Sequence, residues 1–187
     1  MKTIVSILMI FSISFCQGVL YLDYAVSSDG EASIPEPPYY FSYTETVNMD
    51  TSPISIGYYH PVYEISDNMG LSVGGSYEVV AAKSEYDFEM GFMVLYGALG
   101  YSFNDQLSAW GSLGMAMPTS DDLKDLDAEI GMHMVIGASY SINEQFGVSL
   151  GFVSNSTKWD GGDYYYGGDG NIELKVNKMI LSLGYKL

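Results

Sequence analysis

The chain has no arginine, and its seven lysines face 23 acidic residues, which leaves no basic footprint with which to neutralise phosphates. Nucleic-acid binding is excluded on that ground. A single cysteine, Cys16, rules out an internal disulfide framework. Only six prolines occur, and no apolar run reaches the ~20 residues that a membrane-spanning helix requires. The longest, Ile4 to Phe15, follows Met1-Lys2 and precedes Ser14-Phe15-Cys16 and Gln17, the order of charge, apolar region and small-residue cleavage site found in a secretory signal. Residues 1–16 are therefore expected to be a signal peptide and 17–187 the mature domain. A lipoprotein reading of Cys16 is weaker, because Phe15 stands where such signals carry a small residue. Removing the signal leaves six lysines against the same 23 acids and no cysteine.

What is present instead is tyrosine and glycine, 17 and 21 residues, in a chain that is 48% hydrophobic and carries scarcely any helix-start grammar. That composition contradicts disorder, which high acidity alone would suggest, and points to an all-β protein with aromatic girdles at two interfaces. A repeated unit supports it. Tyr63-Glu-Ile-Ser-Asp-Asn-Met-Gly70, Tyr101-Ser-Phe-Asn-Asp-Gln-Leu-Ser108 and Tyr140-Ser-Ile-Asn-Glu-Gln-Phe-Gly147 each place an aromatic, one residue, an apolar residue and a short polar turn. Gly184-Tyr185-Lys-Leu187 begins a fourth copy. The spacings of 38 and 39 residues suit two strands and two connections. Every tight turn then lies at one rim, with both mature termini beside it.

Eight strands are expected, beginning with Val19 to Val26 and ending with Ile172 to Leu187. Between them lie three pairs: Ile54 to Ile65 with Leu71 to Ala82, Tyr86 to Phe103 with Leu107 to Met117, and Ala128 to Ile142 with Phe146 to Asn155. The connections Ser27 to Thr51, Lys83 to Glu85, Pro118 to Asp127 and Ser156 to Asn171 are expected as loops at the opposite rim. Alternation carries the membrane argument. Ile130, Met132, Met134, Ile136, Ala138, Tyr140 and Ile142 share one face, while the other holds mainly Gly, Ser and His133. A soluble sandwich would show Lys, Glu and Thr opposite its apolar face, whereas small residues suit a narrow lumen. Pro61 removes a ladder donor, so a bulge is expected near His60-Pro61. Phe92-Met-Val-Leu-Tyr96 is apolar on both faces, and either aromatics there plug the lumen or a bulge switches parity.

Signal peptide, eight alternating strands, polar three-residue turns and the terminal strand Met179-Ile-Leu-Ser-Leu-Gly-Tyr-Lys-Leu187 resemble the small bacterial outer-membrane barrels of the OmpA, OmpX and OmpW kind. The resemblance covers the whole mature chain. It implies an eight-stranded antiparallel up-and-down transmembrane β-barrel in a Gram-negative-type outer membrane, with lipid and the barrel-insertion machinery as partners. The terminal aromatic signal is matched at Tyr185, while Leu187 departs from the usual final Phe.

The fold does not by itself fix activity. The leading expectation is a non-enzymatic barrel with a structural, surface-interaction or narrow porin-like role and no cofactor. The alternative is a barrel enzyme acting on lipid acyl chains, which places His, Ser and a carboxylate at the outer rim. Here only His60 and His133 are available, near the periplasmic rim and near mid-barrel. Tyr63, Tyr101, Tyr140 and Tyr185 share one offset from their turns and are expected as a periplasmic girdle. Glu78, His133 and Lys178 share the inward parity and are expected as a polar layer, with Glu78 and Lys178 paired and His133 as their hydrogen-bonding neighbour if the heights match, and each satisfied separately by water or nearby Ser and Gly backbone if shear offsets them. Trp110, Phe92 and Tyr96 are the bulky lumen candidates. Asp121, Asp122, Asp125, Asp127 and Glu129 lack the spacing of a calcium loop and read as a solvated acidic loop, so no metal site is assigned. The loop Asp160-Gly-Gly-Asp163-Tyr-Tyr-Tyr-Gly-Gly-Asp169-Gly170 either displays tyrosines to an extracellular ligand or forms an upper girdle.

Overall fold

Alternation of β-branched, aromatic and small residues produces strands throughout, and the strands close on themselves. The computed structural model describes residues 18–36, 41–160 and 171–187; the proposed signal, 1–16, and residues 161–170 of the Tyr/Gly-rich loop lie outside them. The strands are β1 (Val19–Glu36), β2 (Phe41–Asn48), β3 (Ile54–Ser66), β4 (Met69–Val80), β5 (Ala82–Lys83), β6 (Glu89–Met90), β7 (Phe92–Ser102), β8 (Leu107–Pro118), β9 (Gly131–Ser141), β10 (Phe146–Asp160) and β11 (Asn171–Lys186). One short helix, α1 (Asp121–Asp125), precedes β9.

The barrel order is β11-β10-β9-β8-β7-β4-β3-β1, and β1 pairs antiparallel with β11 from Val19↔Lys186 to Ser33↔Glu173, which closes an eight-stranded antiparallel barrel. Closure abolishes the sheet edges that would otherwise expose unpaired backbone groups. The tight turns 66–69, 102–107 and 141–146 lie at one rim beside Gly18 and Leu187, whose N–H donates to the Gly18 carbonyl at 3.0 Å. Two of these turns are built alike: Asn104 Oδ1 accepts from the Gln106 and Leu107 amides, and Asn143 Oδ1 from the Gln145 and Phe146 amides. That is the Asx geometry for which the repeated Asn was selected.

The other described connections, between β1 and β3, β4 and β7, and β8 and β9, lie at the other rim, and there the structure departs from the sequence reading. Ser27 to Thr51 is not simply a loop. β1 continues past a register shift between Ala25 and Ser27 and exchanges its partner β3 for β2. The segment from Lys83 carries the small β5–β6 ladder, so the fourth barrel strand starts at Phe92 rather than Tyr86. Pro118 to Asp127 holds α1; the hydroxyl of Ser120, just before it, donates to the Glu89 carbonyl at 2.8 Å, and Asp122 within it accepts from the Glu89 amide at 2.6 Å. β2 and the β5–β6 unit are joined by Asp50 N–H to the Lys83 carbonyl and Glu85 N–H to the Asn48 carbonyl. These pieces form a cap over the barrel. Pro61 accompanies a register shift between Pro61 and Tyr63, whereas β7 pairs with β8 without any shift from Phe92↔Pro118 to Ser102↔Ser108, so its inward aromatics do plug the lumen.

The outward face is apolar: Ile136 is 64% exposed and Leu113 63%, with Leu22, Val73, Leu95, Leu150 and Leu181 alike. A patch of that extent far exceeds what a soluble monomer carries and matches a lipid-facing belt. The core is therefore inside the barrel. Its upper part is a cluster of Ala82, Met90, Phe92, Val94, Ala116, Leu123, Leu174 and Val176. β7 and β11 lie four strands apart in the ring, so contact between their side chains crosses the whole lumen. Lower down, inward glycines make room for rings on neighbouring strands: Gly57 for Tyr21, Gly74 for Tyr96 and Gly137 for Trp110, each with too little space for a methyl group.

Candidate functional site

Directly beneath the apolar plug lies a polar layer. Glu78 of β4 and Lys178 of β11 stand three strands apart across the lumen, and the Lys178 ammonium donates to Glu78 Oε1. Their side chains are 6% and 4% exposed. Lys178 Nζ also sits 5.8 Å from the centroid of the Phe92 ring, so the ammonium touches the underside of the plug. His133 does not contact this pair directly. It reaches Glu78 through Asn155, whose Oδ1 lies 2.7 Å from His133 Nδ1 and whose Nδ2 donates to Glu78 Oε1 at 3.5 Å. An acceptor on Nδ1 fixes the neutral imidazole as the Nδ1–H tautomer and leaves Nε2 to accept from the Ser112 hydroxyl, 3.4 Å away. Tyr96 stacks beside His133 with ring centroids 5.7 Å apart and hydrogen-bonds its hydroxyl to that of Tyr21 at 2.9 Å.

Ser112, His133 and Asn155 thus stand in the order of nucleophile, base and orienting group. The surroundings do not complete an acyl-transfer site. All three are at least nine-tenths buried, and β8 at Ser112 is laddered to Ala98 on one side and Val135 on the other, so the Ser112 amide belongs to the sheet rather than to an oxyanion hole. The chain of hydrogen bonds instead ends on Glu78 and orients it. His60, the other histidine, lies on the outer face at 3.4 Å from the Tyr58 hydroxyl and far from this layer in sequence and register.

Below the layer the lumen opens. A cavity of about 550 Å³ extends from Glu78, His133 and Lys178 down to the turns holding Asp67 and Glu144. Tyr21, Asp23, Tyr59, Tyr96 and Trp110 form much of its wall. It is a blind pocket, sealed above by the plug and open at the tight-turn rim. Glu78 Oε2 is buried in its upper wall with no hydrogen-bond partner among protein atoms.

The four repeat tyrosines, Tyr63, Tyr101, Tyr140 and Tyr185, are all exposed on the outer face next to the tight turns. Phe103 meets Tyr101 edge-on at 5.2 Å and Phe146 meets Tyr185 at 5.0 Å, extending the ring. Leu187 ends the chain beside Gly18. Sequence reasoning missed Asp23, Ser112 and Asn155. The signal was available for Asp23, a lone acid between inward Tyr21 and Ala25, as Glu78 is a lone acid on β4. Ser112 and Asn155 gave none, because a Ser or Asn on an inward face is ordinary in this chain. The five acids around α1 gather no set of three His, Cys, Asp or Glu side chains able to hold a metal ion among the described residues.

No family model matches the sequence, and no curated protein does. Among solved structures, the chain is similar to Ail, the attachment invasion locus protein of Yersinia pestis, at 14% identity over 91% of this chain and 99% of that one, with a TM-score of 0.46. Neisserial surface protein A matches at 14% identity over 90% and 97%, TM-score 0.43. The outer membrane protein OprG from Pseudomonas aeruginosa matches at 14% over 93% and 98%, TM-score 0.39. These neighbours are small outer-membrane β-barrels, and the closed ladder from β1 round to β11 independently makes this chain an eight-stranded barrel.

Proposed function

We propose that this protein is a non-enzymatic outer-membrane barrel that anchors an acidic cap at the cell surface, exported by the signal in residues 1–16 and inserted by the barrel machinery through its last strand. The observation that carries the reading is the apolar plug: an eight-stranded wall with its upper lumen filled by Phe92, Met90, Val94 and Leu123 has no path for a general diffusion pore. The cap presents Asp121, Asp122 and Asp125 together with Glu85 and Asp87, and an acidic outer surface with a Tyr/Gly-rich loop fits a role in contact with an extracellular ligand. In planar bilayers the refolded barrel is expected to give no stable large openings. Steady conductance on the scale of a porin would overturn the closed-lumen reading.

Orientation follows the girdle. A ring of tyrosines at the tight-turn rim suits an interface where the phenol ring is buried and its hydroxyl wet, and short turns belong on the periplasmic side of such barrels. Protease added to intact cells is therefore expected to cut within 119–130 or 161–170 and to spare the turns at Asp105 and Glu144. External cleavage at either turn would reverse the orientation.

A further inference from the structure

Two buried carboxylates in the blind cavity share a single ammonium. Asp23 on β1 is buried, faces the lumen and lies within Coulombic reach of both Lys178 and Glu78. Lys178 is committed to Glu78 Oε1, and Glu78 Oε2 is left without a partner although its side chain is more than nine-tenths buried. With Asp23 and Glu78 both ionised, the upper cavity holds one negative charge in excess, which either a proton or a bound cation can balance. The walls around it are aromatic: Tyr21, Tyr59, Tyr96 and Trp110 all line the space. Ring faces beside a carboxylate are the chemistry that receives an organic ammonium, through cation–π attraction and the burial of its carbon tail.

We propose that this cavity is a binding site for a small monovalent organic ammonium ion, a primary amine with an aromatic or alkyl tail, entering from the tight-turn rim with its nitrogen between Asp23 and Glu78 Oε2. The volume, about 550 Å³, is that of a small-molecule pocket rather than of a bare ion. A divalent metal is not the occupant, because only two carboxylates converge and no cluster of three metal-ligating side chains exists among the described residues. The mouth favours cations as well: Glu64, Asp67 and Glu144 border it against Lys186 alone.

The test is calorimetric titration of the refolded barrel in zwitterionic nanodiscs with 2-phenylethylammonium, beside its neutral isostere 2-phenylethanol and empty nanodiscs. One ammonium is expected to bind per barrel, saturably, with the alcohol at least about tenfold weaker. Asp23→Asn keeps a side-chain oxygen for Ser182 and removes the surplus charge. It is expected to fold at least as stably as the parent and to lose at least about tenfold in affinity. Trp110 fluorescence should respond to the ammonium, and the response should vanish in Trp110→Phe while Trp159 remains. Absence of saturable binding, equal binding of alcohol and ammonium, or an Asp23→Asn barrel that binds as the parent does would each overturn the proposal. So would an Asp23→Asn barrel less stable than the parent, since Asp23 would then not be a surplus charge.

Discussion

Replacing Lys178 by methionine is expected to destabilise the folded barrel by about 3–5 kcal/mol, the cost of breaking a buried ion pair from one side. The pair lies beneath an apolar plug with both side chains less than a tenth exposed. Without the ammonium, Glu78 keeps only the long contact from Asn155 Nδ2, and Asp23 loses the opposite charge nearest to it. Two carboxylates would then share a cavity wall with no counter-charge. Glu78→Gln is expected to cost less, because the amide oxygen still accepts from Lys178 and a lysine can turn toward Asp23. The double variant Glu78→Leu with Lys178→Met should recover most of the loss, since exchanging a whole buried pair for apolar groups of similar volume is close to neutral. Urea unfolding in nanodiscs, followed by the heat-dependent gel shift of folded barrels, measures all three. A Lys178→Met barrel as stable as the parent would mean that the pair contributes nothing in the membrane.

That pairing was legible in the sequence for a simple reason. Strand parity has a period of two and the tight turns give a common origin, so the level and face of Glu78, His133 and Lys178 could be counted. Each is also a charged or titratable residue among Gly, Ser and apolar neighbours. The same counting located the tyrosines of the lower rim. It failed where the period no longer reports the environment. Beyond the apolar belt β1 continues as strand, and polar residues such as Ser28, Asp29 and Glu31 read as loop although they remain laddered to β11. The Ala25/Ser27 irregularity compounded this by shifting parity just where the apolar outward run Leu20, Leu22, Tyr24 and Val26 ends. α1 is too short to display helical periodicity, and its burial rests on Leu123 alone. His133 was placed at the correct level, but its link to Glu78 runs through Asn155, which no count could have selected.

Phe92→Ala should be the most damaging single truncation in the plug. The ring is fully buried, carries the underside contact with Lys178, and belongs to a cluster drawn from β5, β6, β7, β8, β11 and α1, so no single element can move to fill the void. Large-to-small changes at such sites cost about 3–5 kcal/mol, the upper part of the range applying where the walls cannot collapse. A barrel wall laddered on both sides of β7 is such a site. The loss should appear in the same urea unfolding assay, and it should not be accompanied by a porin-like conductance. Met90, Leu123 and Val176 still meet above the gap, and Val94 and the Glu78–Lys178 pair still stand in the lumen beneath it. Leu123→Ala, at the cap end of the same cluster, removes less surface from a helix that can settle and is expected to cost about 2–3 kcal/mol. If Phe92→Ala were nearly neutral, or opened a stable large channel on its own, the plug would be a loosely held lid and the sealed upper lumen on which the blind cavity depends would have to be abandoned.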